Sequence, residues 1–134
     1  MLEPSVKKYV EELVKAYPQI ECVWLFGSRA NYTERADSDW DLLAFGSQVI
    51  LESLTNDKRF RQPSIDLLIV YDSENFNDPW ELGKRGSLQE WAWKKEDQNL
   101  AMYRATKRIY DEDGKEQFNR KVIWCRALRV YPFA

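Results

Sequence analysis

Asp39 and Asp41 stand one residue apart where the polar stretch "GSRANYTERADSD" runs into the apolar "WDLLAF". Side chains of a strand alternate between faces, so residues two apart point the same way. Two carboxylates on one side repel unless a cation sits between them. Asp66 lies near the start of a second apolar run, "SIDLLIV". If the two runs pair, Asp66 reaches the same point, and three carboxylates make a hard oxygen site of the kind Mg2+ or Mn2+ prefers. Gly27 and Ser28 close an earlier strand-like run; a Gly-Ser turn exposes backbone N–H groups and a hydroxyl that suit a phosphate. Arg29 adds a cation beside them. A phosphate cradle next to a divalent-metal site is the apparatus of phosphoryl or nucleotidyl transfer.

The elements that must hold these residues follow from periodicity. Val6, Val10, Leu13, Val14 and Tyr17 recur at helical spacing after Pro4 and Ser5, and Pro18 ends the helix. "IECVWLFG" (20–27), "WDLLAF" (40–45) and "SIDLLIVY" (64–71) read as strands. The third is nearly all apolar, hence central. "SRANY" suits a short helix or turn, and "QVILESL" a helix after Gly46 and Ser47. Residues 72–87 read as loop. Between 88 and 107 a hairpin turning through "EDQN" is preferred to a helix, with Trp91, Trp93 and Tyr103 on one face. Phe118, Val122, Cys125 and Leu128 trace a final helix that Pro132 stops. The expected fold is α/β (α+β): one domain over 1–134, a mixed sheet of four to five strands with helices mainly on one face, and a catalytic core at about 20–71.

Composition narrows the chemistry. The chain has 134 residues and no histidine, which removes His-based triads, HExxH zinc sites and His general bases together. Cys22 and Cys125 are too few and too far apart for a disulfide scaffold and read as buried free thiols. No apolar run approaches the roughly 20 residues that cross a bilayer, and the start has no secretory layout, so a soluble cytoplasmic protein is expected. Net charge is −2. Residues 1–83 carry 8 Lys/Arg against 15 Asp/Glu, and residues 84–134 carry 12 against 7. An acidic part that gathers carboxylates and a basic part that meets an anion suit a metal-nucleotide site. The basic residues, Lys84, Arg85, Lys94, Lys95, Lys107 and Arg108 among them, read individually as solvated, with phosphate or RNA contact the sharper alternative. Most of the six tryptophans read as core, with Trp91 or Trp93 a candidate for stacking on a base.

The order Gly27-Ser28, ten residues, Asp39-x-Asp41, then Asp66 in an apolar strand resembles the DNA polymerase beta-like nucleotidyltransferase superfamily, in particular its minimal prokaryotic domains. "DSDWDLL" is similar to the family's "DSDxDLL", with Trp40 at a position more often aliphatic. The resemblance covers about residues 20–71. It implies that Asp39 and Asp41 hold two Mg2+ ions and that Asp66 helps to hold one and assists deprotonation of the acceptor. It also implies that Gly27 and Ser28 hold the triphosphate of an NTP, and that an NMP, AMP being one candidate, moves to a hydroxyl of a protein, an RNA or a small molecule. A protein partner or a homodimer is expected, since such minimal domains often act with a helical partner as antitoxins. The competing expectation is a non-catalytic nucleotide- or RNA-binding module on the same fold.

Overall fold

The computed structural model describes every residue except Met1, Glu81, Leu82 and Ala134. Helix α1 (Pro4–Ala16) opens on a proline, whose missing N–H costs nothing at a first helical position. It buries Val6, Tyr9, Val10 and Leu13 along one stripe. Helix α2 (Gln48–Thr55) is capped by Ser47, whose hydroxyl accepts from the Ile50 N–H at 3.3 Å, and it buries Ile50, Leu51 and Leu54. Both helices pack on the same face of the sheet, against Val23, Leu25, Leu42, Ala44, Leu67 and Ile69.

Three strands form the part of the sheet that matters for the site. Strand β1 (Cys22–Phe26) pairs antiparallel with β2 (Trp40–Phe45), and β2 pairs parallel with β3 (Ile65–Val70). All three run where the apolar patterns place them. Outward from β3 lie β4 (Asn75–Asn77) and β5 (Arg85–Ser87). Beyond β1 lie β8 (Lys121–Tyr131), β7 (Leu100–Lys107) and β6 (Lys94–Lys95). The order is β5-β4-β3-β2-β1-β8-β7-β6.

The expected class holds: a mixed sheet with helices on one face. The strand count is eight, not four to five. Part of the excess comes from the segment read as loop, 72–87, which holds β4 and β5; each is only three residues long, too short for a period to show. Glu81 and Leu82 of that segment lie outside the described residues. The expected final helix is β8 instead. Its sequence, "KVIWCRALRVY", is rich in β-branched and aromatic residues. Its backbone is satisfied by β7 along Lys121–Leu128 and by β1 along Leu128–Tyr131. Apolar residues at 122, 125 and 128 fit a helical stripe, but pairing with β1 and β7, distant in sequence, overrides that local signal. The preferred hairpin is present, with β6 and β7 joined through 96–99, although its first strand holds two residues only.

The chain's connectivity forces the sheet to curl. Edge strands β5 and β6 stand at opposite ends of eight strands, about 34 Å apart if the sheet were flat. Only residues 88–93 join them, which reach about 25 Å when fully extended. The link therefore crosses the helix-free, concave face. There Trp93 packs edge-on against Trp24 at 5.3 Å between centroids, and Trp91 packs on Phe76 at 4.6 Å, Tyr103 at 5.1 Å and Phe26 at 5.2 Å. The Trp91 and Trp93 rings do share a face with Tyr103, held there by a turn rather than by a strand.

Candidate active site

Asp41 and Asp66 are direct register partners across the parallel β2–β3 pair. The strand alternation that buries Leu42 and Leu67 toward the helices turns both carboxylates to the concave face. Asp41 is pushed up to about 7, first by burial and then by the charge of Asp66. Asp39 lies just before β2, exposed, and its field adds to the same shift. Among the described residues, no three Asp, Glu, Cys or His side chains converge in metal-holding geometry. The structure thus brings Asp41 and Asp66 together and leaves Asp39 beside them.

Gly27 follows β1, one residue past Phe26, the register partner of Asp41, with φ at +74°. A Cβ at this position would collide with the Asp41 Oδ2 atom, so the close approach of backbone and carboxylate requires glycine. The Gly27 N–H donates to the Tyr103 hydroxyl at 2.9 Å. Ser28, Arg29 and Ala30 form one 3-10 turn. Asn31 locks it from behind: its amide nitrogen donates to the carbonyls of Gly27 (2.8 Å) and Arg126 (3.1 Å), and its amide oxygen accepts from the Arg126 N–H. Arg29 turns toward the loop that leads to Asp39. Its guanidinium lies 4.5 Å from the Trp40 ring centroid and donates to the Ser38 carbonyl at 3.0 Å. As placed, it braces the approach to β2.

Two residues of the site escaped the sequence reading. Lys84, read as a solvated cation, puts its ammonium 2.7 Å from Asp66 Oδ2. That hydrogen bond and the charges of Asp66, Asp41 and Asp39 hold it protonated above the usual lysine range. The only local signal was a lysine soon after the strand that carries Asp66. Tyr103, read as a packing residue, holds the glycine turn from β7; burial pushes its phenol up to about 12. No local signal could reveal a contact between residues 76 positions apart. Trp91 walls two hollows. One, of about 370 Å3, is lined by Phe26, Asp41, Asp66, Lys84 and Glu90 as well. The other, of about 570 Å3, runs past Gly27, Tyr103, Arg104 and Val122.

The site thus joins paired carboxylates to a glycine turn on one face of a mixed sheet. Residues 8–60, from α1 to the turn after α2, match the Polymerase beta, Nucleotidyltransferase family. The resemblance read from Gly27-Ser28 and Asp39-x-Asp41 is therefore matched over this part of the chain. A solved structure from Sulfolobus solfataricus, provisionally assigned as a nucleotidyltransferase, is 22% identical. It covers 69% of this chain and 79% of its own, with a TM-score of 0.43. Comparison with curated proteins gives no match. No helix among the described residues is long and apolar enough to cross a membrane.

Proposed function

We propose that the chain is a metal-dependent nucleotidyltransferase that moves an NMP from an NTP to a hydroxyl. The observation that carries this reading is the Gly27–Asp41–Asp66 arrangement: a glycine that admits a carboxylate against its backbone, with a second carboxylate in register beside it. The donor set fits a Mg2+ or Mn2+ ion: it is all hard oxygen, and burial, with the charge of Asp66 beside it, pushes Asp41 up to about 7, a cost that a bound cation would relieve. Asp41 and Asp66 would hold the ion, with Asp39 reaching in from the loop. When bound, the ion supplies charge neutralisation at the phosphates.

In the reaction, the acceptor oxygen forms a bond to the α-phosphorus, the bond from that phosphorus to the bridging oxygen breaks, and pyrophosphate leaves. A site carboxylate, Asp66 in this reading, takes the acceptor proton. Ser28 and the backbone of its turn lie beside the carboxylates, where the triphosphate would rest. Arg29 would reach a phosphate only by releasing Ser38. ATP is one candidate donor; a protein, an RNA or a small molecule is the acceptor, and a protein partner or a second copy is the expected companion. The test is label transfer from each NTP carrying a labelled α-phosphate, with Mg2+ or Mn2+ and candidate acceptors. Transfer by the wild type and none by the Asp39→Asn/Asp41→Asn double variant supports the reading; equal signals from both would sink it.

A second reading, a nucleotide- or RNA-binding module without turnover, is favoured by one observation. Lys84 neutralises Asp66, and Asp39 stands exposed, so no closed three-carboxylate site exists among the described residues. Metal-dependent nucleotide binding without pyrophosphate release would select it.

A further inference from the structure

We propose that Lys84 is a built-in counter-ion that occupies the cation position of the carboxylate pair, and that it couples metal binding to nucleotide binding by having to leave. This inference rests on the nucleotidyl-transfer reading and adds a residue that lies outside the family match at 8–60.

The geometry places one positive charge at a shared focus. The Lys84 ammonium is 2.7 Å from Asp66 Oδ2, and Asp41 is the register partner of Asp66. The fields of Asp66, Asp41 and Asp39 all act on it. A divalent cation between Asp41 and Asp66 would stand within a few ångströms of that ammonium. Like charges so close, in a site partly shielded from water, cost more than the surface pair yields. One of the two must go.

The lysine is built to be the one that moves. Its backbone is fixed on both sides: the Lys84 N–H donates to Asp78 Oδ1 at 3.0 Å, and its carbonyl accepts from the Asp78 N–H at 2.9 Å. Asp78 is itself buried and caps the Trp80 N–H, so the root of the segment is firm. The side chain is 49% exposed, and its flexible four-carbon stem lets the ammonium swing without moving the backbone. A triphosphate entering by Gly27 and Ser28 offers the displaced ammonium a new anion. Nucleotide therefore makes room for the metal, and by reciprocity the metal favours nucleotide. Without nucleotide, Lys84 satisfies the carboxylates and keeps the affinity for a free divalent ion low.

The test uses Mn2+ binding to the full chain, followed by the spin-resonance signal of free Mn2+. Wild type, Lys84→Met and Lys84→Arg are compared without nucleotide and with a non-hydrolysable NTP analogue, and circular dichroism checks each fold. The expected result is that Lys84→Met binds Mn2+ without nucleotide roughly tenfold more tightly than wild type, the scale of one partly exposed ion pair. Lys84→Arg keeps the low wild-type affinity because it keeps the charge. Lys84→Met should also melt earlier than wild type in chelator and recover on adding Mn2+. Unchanged or weaker Mn2+ binding by Lys84→Met, while wild type binds with the analogue, overturns the inference and leaves the transferase reading intact. An arginine variant as tight as the methionine variant also overturns it, since charge would then not be the cause. No Mn2+ binding by any protein with or without the analogue overturns both.

Discussion

The helix-backed face of the sheet and its concave face are filled with different materials. Toward α1 and α2 lie aliphatic side chains from β1, β2 and β3, with Leu25, Leu42 and Ile69 wholly or almost wholly out of water. Toward the concave side lie Trp24, Phe76, Trp91, Trp93 and Tyr103, and at the open end of that layer sit Asp41, Asp66 and Lys84. The first face buries mostly apolar surface, and its Tyr9 hydroxyl and Trp80 indole N–H are paired with the Phe60 and Leu54 carbonyls, so it is where stability accumulates. The second interleaves rings with charges and keeps repelling carboxylates together, which a fold under selection for stability alone would not do. One strand serves both: Leu42 and Asp41 are neighbours in β2, on opposite faces.

Substitutions on the two faces should separate these roles, beginning with the largest loss of stability. Leu42→Ala leaves a cavity in a fully buried position and should cost about 3–5 kcal/mol in urea unfolding, with little change in transfer activity per folded molecule. Trp91→Ala removes a half-buried ring that touches three others and should cost about 2–3 kcal/mol. Unlike the leucine change, it should also lower activity, because Trp91 walls the hollows beside Asp41 and Gly27; unaltered activity would mean the aromatic layer is packing only. Gly27→Ala, at a positive φ and against the Asp41 carboxylate, should cost about 1–3 kcal/mol while reducing transfer a hundredfold or more. A variant with full activity would remove the reason given for the glycine.

The smallest effect belongs to an ion pair at the rim of the helix-backed core. Asp57 is held at about 2, chiefly by hydrogen bonds from Arg59 and with help from the Tyr17 hydroxyl at 2.8 Å. A lowered carboxylate stabilises the fold above its ordinary titration range and loses that contribution as pH falls toward 2. Because its partner Arg59 is exposed and water screens the pair, Asp57→Asn should cost under about 1 kcal/mol at neutral pH and flatten only the acid limb of the stability curve.

What could be read from the chain divides along the same line. The three strands and two helices around the carboxylates carry strong local periods, and their bounds lie within two residues of those read from sequence. Asp41 facing Asp66 follows from pairing two such strands in parallel. The concave face depended on partners far apart in sequence. Val122, Cys125 and Leu128 carry a three-residue spacing that imitates a helix, and only the long ladder to β7 makes that segment a strand. Three-residue strands have no period to detect, and Tyr103 meets Gly27 only because the sheet curls. Lys84 sits in a polar segment where nothing but its three-dimensional position distinguishes it from a solvated lysine.

The central claim is that Asp41 is kept on the concave face at a cost to the fold. With a folded value of about 7 against about 4 unfolded, the native state binds the extra proton between those pH values, so stability must fall as pH rises through that window. The measurement is the free energy of unfolding from pH 4 to 8, in chelator, for wild type and Asp41→Asn. The account predicts a decline for the wild type, a flatter profile for the variant, and a variant more stable by about 2–4 kcal/mol at pH 8. Parallel profiles, or a variant less stable at pH 8, would show that Asp41 carries no such cost and would contradict the division between the two faces.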